Sequence, residues 1–307
     1  MELWEIRAEV PAGAAEQTEL ALLECGVEGW TLLEDAIAKR AWIVGVFQGE
    51  PEARAQWSRL LPLLPVQPQG KGVARRLPDA DWRHSYREHF KAWTFGRLHW
   101  VPVWERDSFR LPHQHSVLWL DPGMAFGTGN HETTRLCIER LVEFEASLAG
   151  GAAAAQDIQV VDAGCGSGIL ALSASILGFR DVRAFDNDPE AVRVSLENAE
   201  INGISGKVQF ATAGLPEGLP LGQAGVVLAN IQADVLIRYA RELVGAVAEG
   251  GLLAMSGILA REMAAVRDAF ASEAPGGQFD SRTLGEWCDV CLRRPGRLRK
   301  TAPASSG

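Results

Sequence analysis

A glycine-rich loop that follows an apolar strand constrains the fold of this chain more than any other part of its sequence. Residues 160–163 form a short apolar run that ends in alternating glycines, Gly164, Gly166 and Gly168, and an apolar helical pattern begins at Ile169. Because glycine has no Cβ, backbone N–H groups can approach a ligand here, and the following helix directs its positive end at the same place. The sequence therefore predicts a strand, a ligand-binding loop and a helix in succession.

An acidic residue at the end of the next predicted strand indicates the class of ligand. Residues 182–185 predict a short strand, and Asp186 follows it. A carboxylate in this position suits the hydroxyl groups of a ribose. The dinucleotide pattern Gly-x-Gly-x-x-Gly is not met, since Gly168 comes one residue early and Ile169 stands where the third glycine is expected. The spacing argues against NAD and resembles the first two motifs of the class I methyltransferases that bind S-adenosylmethionine, with an ordinary glycine-rich turn as the alternative.

Strands and helices alternate along the rest of this region. Such alternation predicts a mostly parallel sheet with helices on both faces, in which ligands bind at the carboxyl ends of the strands. Gly164, Asp186 and Asn230 all fall at such ends. The predicted helices cover residues 189–201, 235–249 and 260–271, and the predicted strands cover residues 208–211, 224–229, 252–256, 279–284 and 287–292, the last two as a hairpin.

An irregular stretch, residues 120–134, is the second strong signal. It is rich in Gly, Pro, Thr and Asn and leads into a predicted helix at residues 135–145. Thr133 and Thr134 lie near the start of that helix, where hydroxyl and N–H groups can meet the carboxylate or amine of a ligand. A loop that only caps the helix is the alternative. The flanking predictions are a hairpin of residues 96–104 with residues 116–120, and a flexible loop at residues 149–155.

The first 77 residues have a different organisation. Their pattern of strand, helix, two strands, helix and strand predicts a small ferredoxin-like α+β domain. Residues 1–77 contain no glycine-rich loop and no cluster of acid, base and nucleophile, so we assign them to recognition of a partner, with a purely structural role as the alternative. Residues 78–95 predict an amphipathic linker helix that packs between domains, and stacking on RNA is the other interpretation of its aromatic and basic side chains. Its aromatic stripe consists of Trp82, Tyr86, Phe90 and Trp93.

Composition and net charge indicate which macromolecular partners and which cellular compartment to expect. No apolar run reaches the roughly 18 residues needed to span a bilayer, and the chain starts without a signal-like segment, which predicts a cytoplasmic protein with no membrane partner. A net charge of −9 disfavours non-specific nucleic-acid binding and fits a basic macromolecular partner. Cys288 and Cys291 would point to opposite faces of a strand, so no metal site is predicted. The basic tail, residues 295–307, is expected to be disordered.

Several motifs together resemble one family, the bacterial methyltransferases of large-subunit ribosomal protein eleven, called PrmA. The resemblance extends from the N-terminal domain to about Arg294, and its most specific part is the stretch from Asp121 to Gly129. It is carried by Leu120-Asp121-Pro122-Gly123-Met124-Ala125-Phe126-Gly127-Thr128-Gly129, His131 with Thr133-Thr134, Asp162-Ala163-Gly164-Cys165-Gly166-Ser167-Gly168-Ile169-Leu170-Ala171, Asp186-Asn187-Asp188-Pro189, Asn198-Ala199, Asn202-Gly203, Ala229-Asn230-Ile231 and Ser256-Gly257-Ile258-Leu259.

The resemblance implies a class I S-adenosylmethionine-dependent methyltransferase with a Rossmann-like, mostly parallel sheet in residues 96–294. Matched position by position, Thr134 would contact the methionine end of the cofactor, and Gly164 would contact the cofactor through the backbone of the loop. Asp186 would hold the ribose hydroxyls, and Asn230 would lie beside the sulfonium. The resemblance also implies that the N-terminal domain binds the ribosomal protein while a flexible linker re-aims it. Asn187 departs from the family pattern, in which an aliphatic residue is commoner, and the basic tail extends past the usual end.

The expected reaction is N-methylation of the α-amino group and lysine ε-amino groups of that ribosomal protein. Methyl transfer to nitrogen is an in-line displacement, so the amine must be neutral and its lone pair must face the methyl group. Asn230 is predicted to position the amine through its carbonyl, and His131 to stabilise its loop rather than to accept a proton. A methyltransferase for RNA or a small amine, and a module that has lost turnover, are the alternatives. The expected reaction requires no direct nucleic-acid contact.

Overall fold

The computed structural model describes residues 3–24, 29–35, 40–77, 92–121, 132–148 and 152–298. The chain divides into two compact units, Met1–Phe90 and Lys91–Gly307. Three predicted features lie wholly or mostly outside the described residues: most of the irregular stretch of residues 120–134, including His131, the linker helix up to residue 91, and the basic tail. They remain predictions.

The first unit contains, among its described residues, an antiparallel sheet with the strand order β2-β3-β1-β4. Alternate side chains of β1 are buried, and Ile6 packs with Phe47 and with Ala53 of α2. This arrangement confirms the predicted ferredoxin-like fold. The elements are β1 (Leu3–Val10), α1 (Ala15–Glu24), β2 (Trp30–Asp35), β3 (Arg40–Gln48), α2 (Glu50–Leu60) and β4 (Gln69–Leu77).

The second unit begins with a small sheet in the order β5-β6-β7, made of β5 (Trp93–Phe95), β6 (Leu98–Pro102) and β7 (Ser116–Leu120). Trp93–Phe95 therefore form a strand, which corrects the predicted end of the linker helix. The predicted hairpin of residues 96–104 with residues 116–120 is also wrong, because β6 and β7 run parallel with Leu98 opposite Ser116. The intervening segment turns back at Pro112, whose carbonyl accepts the N–H of His115, and thus returns the chain to the start of β6.

The main sheet has the order β10-β9-β8-β11-β12-β15-β13, and β14 pairs with β15 at one end. The first five strands in this order, β10, β9, β8, β11 and β12, are parallel, and β15 is antiparallel to β12. This is the doubly wound sheet with a final hairpin that the sequence predicts. Its strands are β8 (Gln159–Ala163), β9 (Asp181–Asp186), β10 (Val208–Thr212), β11 (Ala224–Asn230), β12 (Val247–Leu259), β13 (Gln278–Asp280), β14 (Thr283–Leu284) and β15 (Trp287–Arg293).

Helices lie between these strands, and two of them differ from the predictions. The predicted flexible loop at residues 149–155 contains a short helix, α4, because Ala154 and Ala155 are buried against the core. The predicted helix at residues 235–249 is broken at Tyr239 into α8 and α9, and β12 already begins at Val247. The helices are α3 (Glu132–Ser147), α4 (Ala152–Ala155), α5 (Ile169–Ile176), α6 (Pro189–Ile201), α7 (Leu215–Gly218), α8 (Ala233–Arg238), α9 (Ala240–Ala246) and α10 (Met263–Glu273).

The main sheet is buried on both faces. Val160 belongs to an apolar cluster with α3 and α5, and Val161 belongs to a second cluster with α8, α9 and α10. Cys291 lies in the first cluster and Cys288 in the second, which confirms that these thiols point to opposite faces. Burial raises the pKa of each to about 11. None of the helices in the described parts of the chain is long and apolar enough to span a bilayer.

Candidate active site

Three strand ends meet at one edge of the main sheet. The order β9-β8-β11 makes these strands neighbours, and all three are parallel. Their carboxyl ends therefore share one edge, and Asp186, Gly164 and Asn230 follow or end them in that order. The structure thus brings together the three residues that were predicted from separate stretches of sequence.

The glycine loop turns sharply at the end of β8. The N–H groups of Gly164 and Cys165 both donate to the carbonyl of Phe185 in β9, at 2.9 and 3.0 Å. Gly164 has a φ of 78°, in the left-handed region that favours glycine. A Cβ at this position would lie 2.5 Å from Cγ2 of Ile231, so there is no room for a side chain. The close packing of Ile231 and the left-handed backbone therefore both require glycine at this position.

The carboxylate of Asp186 links the loop to β9. Its Oδ2 accepts the N–H of Gly166 at 2.9 Å, and its Oδ1 accepts the N–H of Asp188 at 3.0 Å. Asp188 in turn caps α6 by accepting the N–H of Glu190. The side chain of Asp186 is half-buried. Because a carboxylate has about four acceptor positions, Asp186 retains the capacity to bind two hydroxyl groups.

No role is assigned from the sequence to Asp162, the one polar residue of the short run before the loop. It is fully buried, and its Oδ2 accepts the N–H of Ala171 in α5 at 3.0 Å. Its Oδ1 is buried and has no hydrogen-bond partner within residues 3–298 as far as these are described. Burial, opposed by the bond from Ala171 and reinforced by the charge of Asp186, raises the pKa of Asp162 to about 7. A buried acceptor of this kind can be satisfied by a donor from a bound molecule.

The fourth predicted residue reaches this edge from α3. Thr134 lies in the first turn of that helix and is 2% exposed. The Nδ2 of Asn230 donates to the Oγ1 of Thr134 at 3.3 Å. This bond fixes the amide of Asn230 so that its Oδ1 remains available as an acceptor. The contact joins two residues that are far apart in the sequence.

Side chains of α6 and α3 hold these parts in place. In α6, Ser195 Oγ donates to the carbonyl of Gly166 and Asn198 Nδ2 donates to the carbonyl of Ser167, each at 2.9 Å. In α3, the buried Arg140 makes two hydrogen bonds with the carboxylate of Asp289 in β15, at 2.7 and 2.9 Å. The glycine loop is therefore tied to α6, and the helix that carries Thr134 is tied to the sheet.

Known proteins are similar to this chain over most of its length. Residues 2–295 match the family model described as ribosomal protein L11 methyltransferase (PrmA). The ribosomal protein L11 methyltransferase of Pseudomonas paraeruginosa is 37% identical over 94% of this chain and 98% of its own length. That of Pelobacter propionicus is 43% identical over 71% of this chain and 68% of its own length.

A solved structure shows the same fold. The crystal structure of the ribosomal protein L11 methylase from Lactobacillus delbrueckii subsp. bulgaricus matches with a TM-score of 0.57 and 29% sequence identity, over 67% of this chain and 100% of that chain. Together with the family match, this makes the wound sheet the catalytic fold of an S-adenosylmethionine-dependent methyltransferase. The chain belongs to the ribosomal protein L11 methyltransferase family.

Proposed function

We propose that this protein methylates the α-amino group and lysine ε-amino groups of ribosomal protein L11. The observation that carries the proposal is the hydrogen bond between Asn230 and Thr134. It lies at the sheet edge where Gly164 and Asp186 also stand. This contact supports the proposal because an amide can orient an amine, and the proposed nucleoside-binding loop lies at the same edge. The names of the relatives supply the identity of the partner.

The residues at this edge fit S-adenosylmethionine. Asp186 would accept hydrogen bonds from the ribose hydroxyls, and the backbone at Gly164, which has no side chain, would lie along the cofactor. The unpartnered Oδ1 of Asp162 suits the positively charged amino group that the cofactor carries. Thr134 would contact the methionine end. When bound, the cofactor supplies a methyl group on a positively charged sulfur.

The role of Asn230 is to orient the incoming amine. Its Nδ2 is committed to Thr134, so its Oδ1 can accept an amine N–H and leave the lone pair directed at the methyl group. An α-amine with a pKa of about 7.7 to 8 is partly neutral at cell pH. A lysine has a pKa near 10.4, and lowering that pKa to cell pH, by roughly 3, costs about 4 kcal/mol. A dry cleft beside a positive charge favours the neutral amine, so positioning and desolvation would suffice without a general base.

The first unit is proposed as the part that binds ribosomal protein L11. It has its own core and sheet but no counterpart of the glycine loop among its described residues. The proposal requires no contact with nucleic acid, and it places the reaction in the cytoplasm, where ribosomal proteins are made.

Labelled S-adenosylmethionine would test the proposal. The protein is incubated with purified ribosomal protein L11 in one reaction and with ribosomal RNA in another, and the modified amines are located by mass spectrometry. We expect label in the protein, on its N-terminus and on lysines. Label in the RNA alone would support the alternative substrate class, and no transfer to either would indicate a module that binds the cofactor without turnover.

A further inference from the structure

Arg135, next to Thr134, has no anionic partner in the part of the chain that the structure describes. Arg135 follows Thr134 in the first turn of α3, and its guanidinium lies 3.9 Å from the ring centroid of Trp93 in β5. Its Nε is buried and has no hydrogen-bond partner among the residues that the structure describes. Within the described parts of the chain, no carboxylate forms an ion pair with Arg135.

This placement is unfavourable for the protein by itself. A helix carries partial positive charge at its first turn, so a cation there is repelled, and cations are favoured at the opposite end. A buried N–H without an acceptor adds a further cost. The face of Trp93 offsets part of this cost through a cation–π contact. The remaining cost points to a negative charge that arrives with a ligand.

Other arginines of the second unit show what is unusual about Arg135. Arg140 makes two hydrogen bonds with Asp289, and Arg97 makes two with Glu145. Arg106 also lies over a tryptophan, Trp119, at 5.0 Å, but it donates to the carbonyl of Ile201 at 2.9 Å. Arg135 likewise stacks on a tryptophan ring, but no hydrogen-bond acceptor for its Nε is present among the described residues.

A guanidinium that stacks on an aromatic ring keeps its N–H edges free, and these edges match the two oxygens of a carboxylate. The methionine part of S-adenosylmethionine carries one carboxylate. Thr134, the residue adjacent to Arg135, is assigned above to the methionine end of the cofactor. We propose that Arg135 binds the carboxylate of S-adenosylmethionine, with Trp93 holding its guanidinium in place. This inference rests on the proposed placement of the cofactor along Thr134 and Gly164.

Calorimetry with two ligands tests the inference without turnover. S-adenosylhomocysteine contains the carboxylate, whereas 5′-methylthioadenosine has the nucleoside and the sulfur but no amino-acid part. We expect Arg135→Gln to weaken S-adenosylhomocysteine by about tenfold or more and to leave 5′-methylthioadenosine unchanged. Arg135→Lys, which keeps the charge but not the two-pronged geometry, should show a smaller loss with the same selectivity. Arg106→Gln is the matched control and should change neither affinity.

The outcomes separate this inference from the proposed function. Equal losses for both ligands in the folded Gln or Lys variant, or no loss for either, would overturn the role of Arg135. If Arg135→Gln does not fold, the selectivity of Arg135→Lys decides the matter. Failure of the unmodified protein to bind either ligand would instead contradict the placement of the cofactor itself.

Discussion

The side chain of Ile231 occupies the space beside Gly164 into which a Cβ would otherwise project. A Cβ built at Gly164 would lie 2.5 Å from Cγ2 of Ile231, and Ile231 directly follows Asn230. On the other side, a Cβ at Gly257 in β12 would lie 2.5 Å from the backbone carbonyl oxygen of Ile231. The glycine loop, the end of β11 and β12 are therefore interlocked through one residue.

This relationship predicts different responses at the two glycines. Gly164→Ala should weaken S-adenosylhomocysteine, because the left-handed φ costs about 1–2 kcal/mol and the new methyl group collides with Ile231. Adding Ile231→Ala should restore part of the affinity. In Gly257→Ala the collision involves backbone atoms, so the same second substitution should restore nothing. Calorimetry on the four variants measures this, and equal recovery at both glycines would contradict the interlock.

Asn230→Ala should separate turnover from cofactor binding. Loss of the Oδ1 acceptor leaves the amine unaligned, and we expect kcat to fall on the order of 10²-fold while the affinity for S-adenosylhomocysteine changes little. Asn198→Ala is the contrasting variant, because Asn198 holds the carbonyl of Ser167 in the glycine loop and should act mainly on affinity. Steady-state kinetics with calorimetry distinguishes the two. Equal losses of turnover and affinity in Asn230→Ala would reduce Asn230 to a cofactor contact.

Asp162 should make the ligand-free protein less stable as the pH rises. Its carboxyl has a pKa of about 7 when folded and about 3.8 when exposed, so between these values the folded state keeps a proton that the unfolded state has released. The free energy of unfolding should then fall with a slope of up to about 1.4 kcal/mol per pH unit. Asp162→Asn cannot titrate and should lack this contribution. Urea unfolding of both proteins at pH 5 and pH 7 gives the difference, and parallel pH dependence would refute the shift.

Removal of Arg140 should destabilise the second unit strongly. The carboxylate of Asp289 is fully buried, and Arg140→Met leaves it without its cationic partner, at a cost of about 3–5 kcal/mol. Adding Asp289→Asn removes the buried charge and should recover much of the lost stability. The side-chain oxygen of the asparagine can still accept the backbone N–H of Arg282, as Oδ1 of Asp289 does. Denaturant unfolding measures all three variants. A change below about 1 kcal/mol in Arg140→Met would show that the pair is not needed to hold α3.

Local patterns in the sequence predicted the elements that form the catalytic fold. The glycine loop, the acid after the next strand and the alternation of strands and helices specify a parallel sheet, and its carboxyl edge follows from topology alone. The pairing of β6 with β7 was mispredicted, because the same two apolar runs can pair parallel or antiparallel, and the turn at Pro112 only returns the chain between them.

The sequence by itself determined the class of fold and the family, and it predicted that Gly164, Asp186 and Asn230 lie at strand ends, because strand ends, glycine spacing and acidic residues act over a few neighbouring positions. Only the tertiary structure decided that Asn230 meets Thr134, and that Arg135 lies on Trp93. It also decided that, among the described residues, one oxygen of Asp162 has no hydrogen-bond partner and Arg135 has no anionic partner. These relationships depend on which distant side chains approach within a few ångströms in a packed core, and no local pattern encodes such distances.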